Sequence, residues 1–270
     1  MRPGRSWAGW GTVPAAFVLL LLFGGALVEA VSVSLDDGLG AWRRLLGSDE
    51  LVASLALTWR VALTSTILAA ALGLLIALLV RRVFQTFGGR VTRVLLQVPL
   101  PMPHLVVAIA ALMLLSQSGL LNRLLGGAAL PPLVNDRFGV GIVFTYVWKE
   151  APFIAVLVLS ALRGETLKLE EVAQNLGASR WRVLREVTLP AALPALRTGS
   201  TLVFAYAFGA FEVPRLLGQT RPSMLGVWSF RLYTDVDLAR RPEGMAVALL
   251  IFASVVAAAL ALNGVRGRVR

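Results

Sequence analysis

The chain has 270 residues, 57% of them hydrophobic, a mean hydropathy of +0.76 and a formal charge of +11. Soluble domains are about 45–50% apolar, so this excess, gathered in blocks, excludes an ordinary soluble fold and points to a polytopic membrane protein. Cysteine is absent and His104 is the single histidine, which excludes a disulfide framework, thiolate chemistry and a zinc or haem constellation.

Six stretches reach the roughly 20 apolar residues needed to cross about 30 Å of hydrocarbon. The first is Val13–Ser34. Arg2 and Arg5 precede it as in a signal peptide, but the run is long and lacks a clear small-residue cleavage site, so a retained span is expected. The second is Val52–Val80. Arg60, near its start, and Glu29, near the end of the first, lie close enough to an interface to snorkel.

The third, Val94–Ser116, contains Pro99-Leu100-Pro101-Met102-Pro103-His104. Alternating prolines cannot be helix interior, so a stiff extended segment with the helix starting after it is expected. His104 reads as an interfacial hydrogen-bonding residue. The fourth, Val140–Leu162, carries Lys149 and Glu150 just before Pro152. The fifth, Leu196–Leu216, carries Glu212, with Pro214 and Arg215 beside it. The segment Arg215–Gly244 follows, rich in arginine and holding Asp235, Asp237 and Glu243. It reads as partly re-entrant or as a docking surface for an external partner. Met245–Asn263 is the sixth span.

Basic residues concentrate on the side of the N-terminus, the 163–196 loop and the Arg266, Arg268 and Arg270 tail, which puts both termini in the cytoplasm. They flank spans, where anionic lipid favours them. No basic patch interleaved with aromatics marks a nucleic-acid surface, so lipid and not nucleic acid is the expected partner. Trp7, Trp10, Trp42, Trp59 and Trp148 suit interfacial belts. No internal repeat or linker divides residues 1–270, which read as one membrane domain.

An ionisable group at the centre of a span costs at least about 2.5–3.5 kcal/mol, so each is a functional candidate or a buried pair. Lys149 and Glu150 fit a structural role, satisfying a polar partner within the bundle. Alternatively, Glu150 and Glu212 line a translocation path and attract a cationic solute. Pro152 and Pro214 are expected to break their helices and free carbonyls toward a cavity.

Between the fourth and fifth spans, Glu165 to Leu176 is helix-friendly and Gly177 suits a C-cap. Ser179 can cap a second short helix in which Trp181, Leu184 and Val187 recur every three residues as one apolar face. Pro190 and Pro194 are expected to stop it. Helix, glycine turn, helix and proline stop make a rigid element, able to transmit a push.

The same segment reads Glu171-Val172-Ala173, three residues, Gly177, nine residues, Val187, one residue, Leu189-Pro190. It resembles the EAA loop (E-A-A, three residues, G, nine residues, I, one residue, L-P) of the permease subunits of bacterial ABC importers. Val172 replaces the first Ala and Val187 the Ile. The resemblance implies an all-α, polytopic bundle of about six transmembrane helices with the type I importer permease fold, in a bacterial inner membrane. It implies an ABC ATPase dimer, a second permease (the same chain or a sister) and an extracytoplasmic solute-binding protein as partners. Glu171 would face a basic residue of the ATPase, Gly177 would make the tight turn beyond Ala173, and Leu189-Pro190 would set the helix exit.

ATP needs a separate subunit. A phosphate loop requires Lys after Gly and before Ser or Thr, and neither Lys149 nor Lys168 is so placed. The chain is therefore expected to be no enzyme and to hold no cofactor of its own. Phe208-Gly209-Ala210-Phe211-Glu212-Val213-Pro214 resembles the branch handling polyamines, ferric iron, thiamine, sulfate and phosphonates. The acidic residues in the spans lean toward an organic cation such as a polyamine. An ion-driven secondary transporter is the alternative, and would carry an internal repeat and broken spans in matching positions. A membrane-embedded enzyme would need a nucleophile with a base or a metal cluster.

Overall fold

A computed structural model describes residues 13–81, 87–126 and 131–264. Arg2, Arg5, Trp7, Trp10, Arg82 and the arginines of the tail lie outside the described residues. Regular structure among the described residues is helical throughout. The first span is α1 (Val13–Ser34), followed by the short α2 (Gly40–Leu46). The second, α3 (Asp49–Val80), starts earlier than expected because Ser48 caps it: its hydroxyl accepts from the Glu50 N–H at 3.2 Å. Asp49 and Glu50 then lie at the positive end of the helix dipole.

The third span is split. α4 (Phe87–Gln97) ends before the prolines, and α5 (His104–Leu115) starts after them, as expected, followed by the short α6 (Leu120–Leu124). The proline segment itself is not extended but forms turns, the Met102 N–H donating to the Pro99 carbonyl at 3.3 Å. The fourth, α7 (Val140–Ala161), contains Pro152 without being interrupted by it, against expectation. Packing on both sides holds the helix where a proline alone would weaken it.

The loop helices are α8 (Glu165–Asn175) and α9 (Arg180–Val183), the latter continued by a π-helical turn over Leu184–Thr188. The fifth span, α10 (Leu189–Gly209), begins at Leu189 rather than Leu196. Pro190 and Pro194 therefore do not stop a helix. Pro190 follows directly on the π turn, in a helical run continuous from Arg180, and the wider turn leaves room for its ring. The Thr198 hydroxyl donates to the Pro194 carbonyl at 3.0 Å.

α10 ends at Gly209, Ala210 is extended, and α11 (Glu212–Leu217) restarts the chain. The break thus precedes Pro214, which sits inside α11. The third span breaks at the prolines as expected, and the fifth breaks at Ala210–Phe211 rather than at Pro214. α12 (Leu225–Tyr233), a 3₁₀ turn (Leu238–Arg240) and α13 (Arg241–Gly264) complete the fold. The Leu225 N–H donates to the buried Thr58 hydroxyl at 2.9 Å, and Trp228 and Leu232 are buried, so α12 folds back onto α3 and α13.

Five helical stretches are long and apolar enough to cross a membrane: Val13–Ser34, Asp49–Val80, His104–Leu124, Val140–Ala161 and Leu238–Leu262. α10, the fifth of the expected spans, is not among them. It packs among α3, α7 and α13, so its surroundings are protein and its sequence is less apolar. α1 touches the bundle through α13 and shows an apolar surface outward, as a lipid-facing helix does.

α3 and α7 pack along one another. Gly73 sets their approach: a Cβ there would lie 2.7 Å from the Ala151 carbonyl oxygen. Small residues at helix contacts are how membrane helices gain dispersion contacts without a hydrophobic driving force. Trp59, expected in an interfacial belt, instead packs edge-on to Phe208 at 5.2 Å between ring centres.

Two apolar cores result. One gathers Val61, Ile142, Tyr146, Phe208, Leu217 and Leu225; the other gathers Ala69, Ala151, Ile154, Val158, Ala192 and Val203. Along α3 the buried hydroxyls Ser65 and Thr66 separate them, and along α7 so do Lys149 and Glu150. These residues sit near the middle of their helices. The bundle therefore has a polar layer at mid-depth.

Candidate functional site

The mid-depth layer is built where the third span breaks. Pro99, Pro101 and Pro103 supply no N–H, and the segment they stiffen leaves carbonyls outside any helix ladder. Lys149, 6% exposed, answers them: its ammonium donates to the Pro99 carbonyl at 3.1 Å and the Leu100 carbonyl at 3.4 Å. This is the structural reading of Lys149. It does not pair with its neighbour Glu150.

Glu150 points instead to His104, the first residue of α5, with Nε2 and Oε1 2.9 Å apart. The imidazole stacks on the Tyr206 ring at 4.0 Å between ring centres. His104 is thus no isolated interfacial residue but the hub joining α5, α7 and α10.

Two cavities meet at this hub. The smaller, about 240 Å³, is lined by Leu100, Lys149, Glu150 and Leu202; the larger, about 620 Å³, by Pro103, Ala205, Phe211 and Glu212. His104 and Tyr206 belong to both, so their stacked rings form the wall between them. Glu212 is exposed on the rim of the larger cavity, at the start of α11. The structure brings Glu150 and Glu212 to one layer, one on either side of the ring pair.

The other candidate lies at the end of α7. α8 closes with two bonds: the Ala178 N–H donates to the Ala173 carbonyl at 3.0 Å and the Gly177 N–H to the Gln174 carbonyl at 2.9 Å. Gly177 has φ +84°, the left-handed conformation this double closure requires. Ser179 then caps α9, accepting from the Arg182 N–H at 3.3 Å. Ala173, Gly177 and Ser179 therefore fix the angle between α8 and α9. Leu189 and Pro190 open α10 directly behind the π turn.

Glu171 is exposed on α8. Around it Val172 is exposed, Leu176 is 83% exposed and Trp181 69% exposed. The apolar face expected from Trp181, Leu184 and Val187 is not one buried face. Trp181 points outward, and the inward residues are Val183 and Thr188. The π turn shifts the register, so a three-residue recurrence misplaces them.

Sequence reasoning passed over Glu170. It is 7% exposed, and its Oε1 accepts from Arg81 Nη1 and from the wholly buried Thr188 hydroxyl, both at 2.5 Å. The available signal was spacing: Thr166, Glu170 and Ala173 recur at helical intervals on the inward face of α8.

At the opposite end, a cavity of about 830 Å³ is lined by Glu29, Asp37, Arg44, Asp237, Arg240 and Glu243. Arg44 bridges Asp37 at 2.7 Å and Glu243 at 2.5 Å. The Arg44 guanidinium, and then the Ala41 N–H, hold the Asp37 carboxyl below its usual range. The Asp237 N–H does the same for Asp235, helped by Arg240.

Spans broken at mid-depth, a polar layer opening into cavities and a rigid loop at one end define a multi-pass membrane transport subunit. The sequence pattern of the binding-protein-dependent transport system inner membrane component family matches residues 69–265, and the chain belongs to that family. The chain is 33% identical over 265 residues to a probable molybdenum ABC transporter permease protein of Haloferax volcanii, covering 96% of this chain and 92% of the relative. It is 28% identical to the molybdenum transport system permease protein ModB of Mycobacterium bovis, over 99% and 97% of the two chains. It is 31% identical to the inner membrane ABC transporter permease protein YnjC of Escherichia coli over 90% of this chain, but spans only 45% of that longer relative.

A bacterial ABC transporter that imports the acidic polysaccharide alginate has the same fold, with a TM-score of 0.81 at 20% identity over 98% and 96% of the two chains. The methionine ABC transporter MetNI superposes with a TM-score of 0.59 at 18% identity, over 83% of this chain and 100% of the MetNI chain. The ABC importer permease fold expected from the loop is thereby shown. The two sequence relatives named for a solute, from Haloferax volcanii and Mycobacterium bovis, are molybdenum permeases and not members of the polyamine branch that the sequence suggested.

Proposed function

We propose that this chain forms half of the translocation pathway of an ATP-driven importer for molybdenum, carried as a tetrahedral oxyanion. The observation that carries the solute is full-length similarity to permeases named for molybdenum. The polar layer supports it. Glu150, once a candidate cation ligand, is already paired with His104, and Lys149 brings a donor to the same layer. The first turn of α5 presents backbone N–H groups beside them, where an anion is favoured. Glu212 stays exposed at the rim of the larger cavity, an acid that an anion must pass.

In this proposal the 163–196 loop docks on an ABC ATPase at the cytoplasmic face, with both termini on that side. Glu171 faces a basic residue of the ATPase. Leu176 and Trp181, exposed beside Glu171, seat in the ATPase groove. Gly177 and Ala173 hold the angle of the docking element, and Leu189 and Pro190 carry it straight into α10. A binding protein delivers solute at the other end, and a second permease completes the pore. ATP-driven closure of the ATPase pair biases the bundle between inward- and outward-open states. Broken spans also suit the ion-driven alternative, but family membership favours the importer.

Uptake into proteoliposomes holding the assembled complex and its binding protein tests the reading. Labelled molybdate enters with ATP, and excess polyamine does not compete. Glu212→Gln leaves molybdate uptake unchanged or raises it. Reduced uptake in that variant, or competition by polyamine, restores the cation reading.

A further inference from the structure

The loop is joined by the chain to α7 and α10, but α3, the longest helix, has no covalent link to it. Besides apolar packing of the end of α3 against Ala191 and Ala192, a buried carboxylate ties α3 to the loop. Glu170 Oε1 accepts from Arg81, which terminates α3, and from Thr188, which ends the π turn and leads into α10. The side chains of Arg81 and Glu170 are 14% and 9% exposed, and Thr188 is wholly buried. Three elements therefore converge on a single oxygen shielded from water, where charge-assisted hydrogen bonds are short and strong.

A surface ion pair holds little, because water and ions compete for it. This pair is different: separating either partner leaves a charge in a place with little water. A displacement of α8 is therefore passed to α3 and to the foot of α10 together, or the joint breaks at a cost. α3 runs from this joint to Ser65 and Thr66 in the mid-depth layer, and α10 runs from it to Tyr206. Both walls of the polar layer are tied to one side chain.

We propose that Glu170 is the positioning residue that transmits movement of the ATPase-docking loop to α3 and α10, acting through Arg81 and Thr188 and not through contact with solute or ATPase. Glu171, its exposed neighbour, has the separate task of docking. The inference rests on the docking role proposed for the loop, and the experiment separates the two.

The test uses the complete complex in proteoliposomes with binding protein, measuring molybdate moved and ATP hydrolysed in one sample. Variants are Glu170→Gln, Arg81→Lys, Thr188→Val and Glu171→Ala. With Glu170→Gln the ATPase still co-purifies and hydrolyses ATP, while solute moved per ATP falls about tenfold, within the range of ordinary inter-site coupling. Thr188→Val, which removes only the hydroxyl, gives a smaller fall of the same kind. The Glu170→Gln/Thr188→Val pair falls no further than Glu170→Gln alone, since both cut one joint. Glu171→Ala loses the ATPase instead.

An unchanged ratio in Glu170→Gln overturns the inference. Should Glu170→Gln fail to assemble, Thr188→Val and Arg81→Lys decide: a parental ratio in both overturns it equally. If the unaltered chain holds no ATPase, the docking reading itself is what has failed.

Discussion

Gly73→Ala puts one methyl group between α3 and α7. Its Cβ would lie 2.7 Å from the Ala151 carbonyl oxygen and 2.8 Å from the Ile154 Cβ. Neither is a flexible tip, so the helices must separate. Overpacking of this kind costs about 1–3 kcal/mol, partly offset by the roughly 1 kcal/mol that Ala gains over Gly in a helix. Gly24 provides the matched control, with nothing within 4 Å of its virtual Cβ. There the same substitution has the propensity gain and no clash. The difference between the two variants isolates packing at about 1–3 kcal/mol. At about 2–4 °C per kcal/mol, the Gly73→Ala midpoint in thermal unfolding of the detergent-solubilised protein should lie roughly 2–12 °C below that of Gly24→Ala. Coincident midpoints would refute the close α3–α7 contact.

Lys149→Met removes the side-chain donor shared by the Pro99 and Leu100 carbonyls, of which Pro99 keeps the Met102 N–H, and should destabilise the bundle by about 1–3 kcal/mol, with Lys149→Arg milder; chemical unfolding in detergent reads both. Gly177→Ala forces a side chain into φ +84°, a strain of about 1–2 kcal/mol. It should reduce ATPase co-purification and lower the midpoint by no more than roughly 2–8 °C, and an unaltered complex would speak against the turn. Asp37 has a folded pKa below its ordinary 3.8, so its stabilising contribution is present above that value and lost as pH falls through the lower folded one. Asp37→Asn should therefore unfold earlier than the parent at neutral pH, with the gap closing in acid and in high salt.

The apolar blocks were legible because a span must satisfy its own backbone, and length and composition are all that requires. α1 and α7 fell where the hydropathy put them. The loop was legible because Gly177 and Ser179 have local tasks, a left-handed turn and a cap, that follow from residue type. Proline gave the clearest errors. Its local effect at Pro152, Pro190 and Pro194 was outweighed by packing or absorbed by the π turn, whereas Pro99, Pro101 and Pro103 acted together and did break the span. The polar partner of Glu150 was not legible because His104 lies 46 residues away, and no periodicity reports a contact at that range. Glu170 was hidden beside Glu171: two adjacent acids on a helix face different ways, and only the burial of Thr188 and the end of α3 show which one turns inward.

Affinity purification of this chain from its host in mild detergent, with the loop intact and as Glu171→Ala/Gly177→Pro, decides whether the 163–196 segment holds an ATPase. Mass spectrometry identifies the co-eluting chains. An ABC ATPase should elute with the intact chain and be missing from the altered one, while the altered chain remains monodisperse. An intact chain that elutes without an ATPase, under conditions that preserve other membrane complexes, contradicts the account.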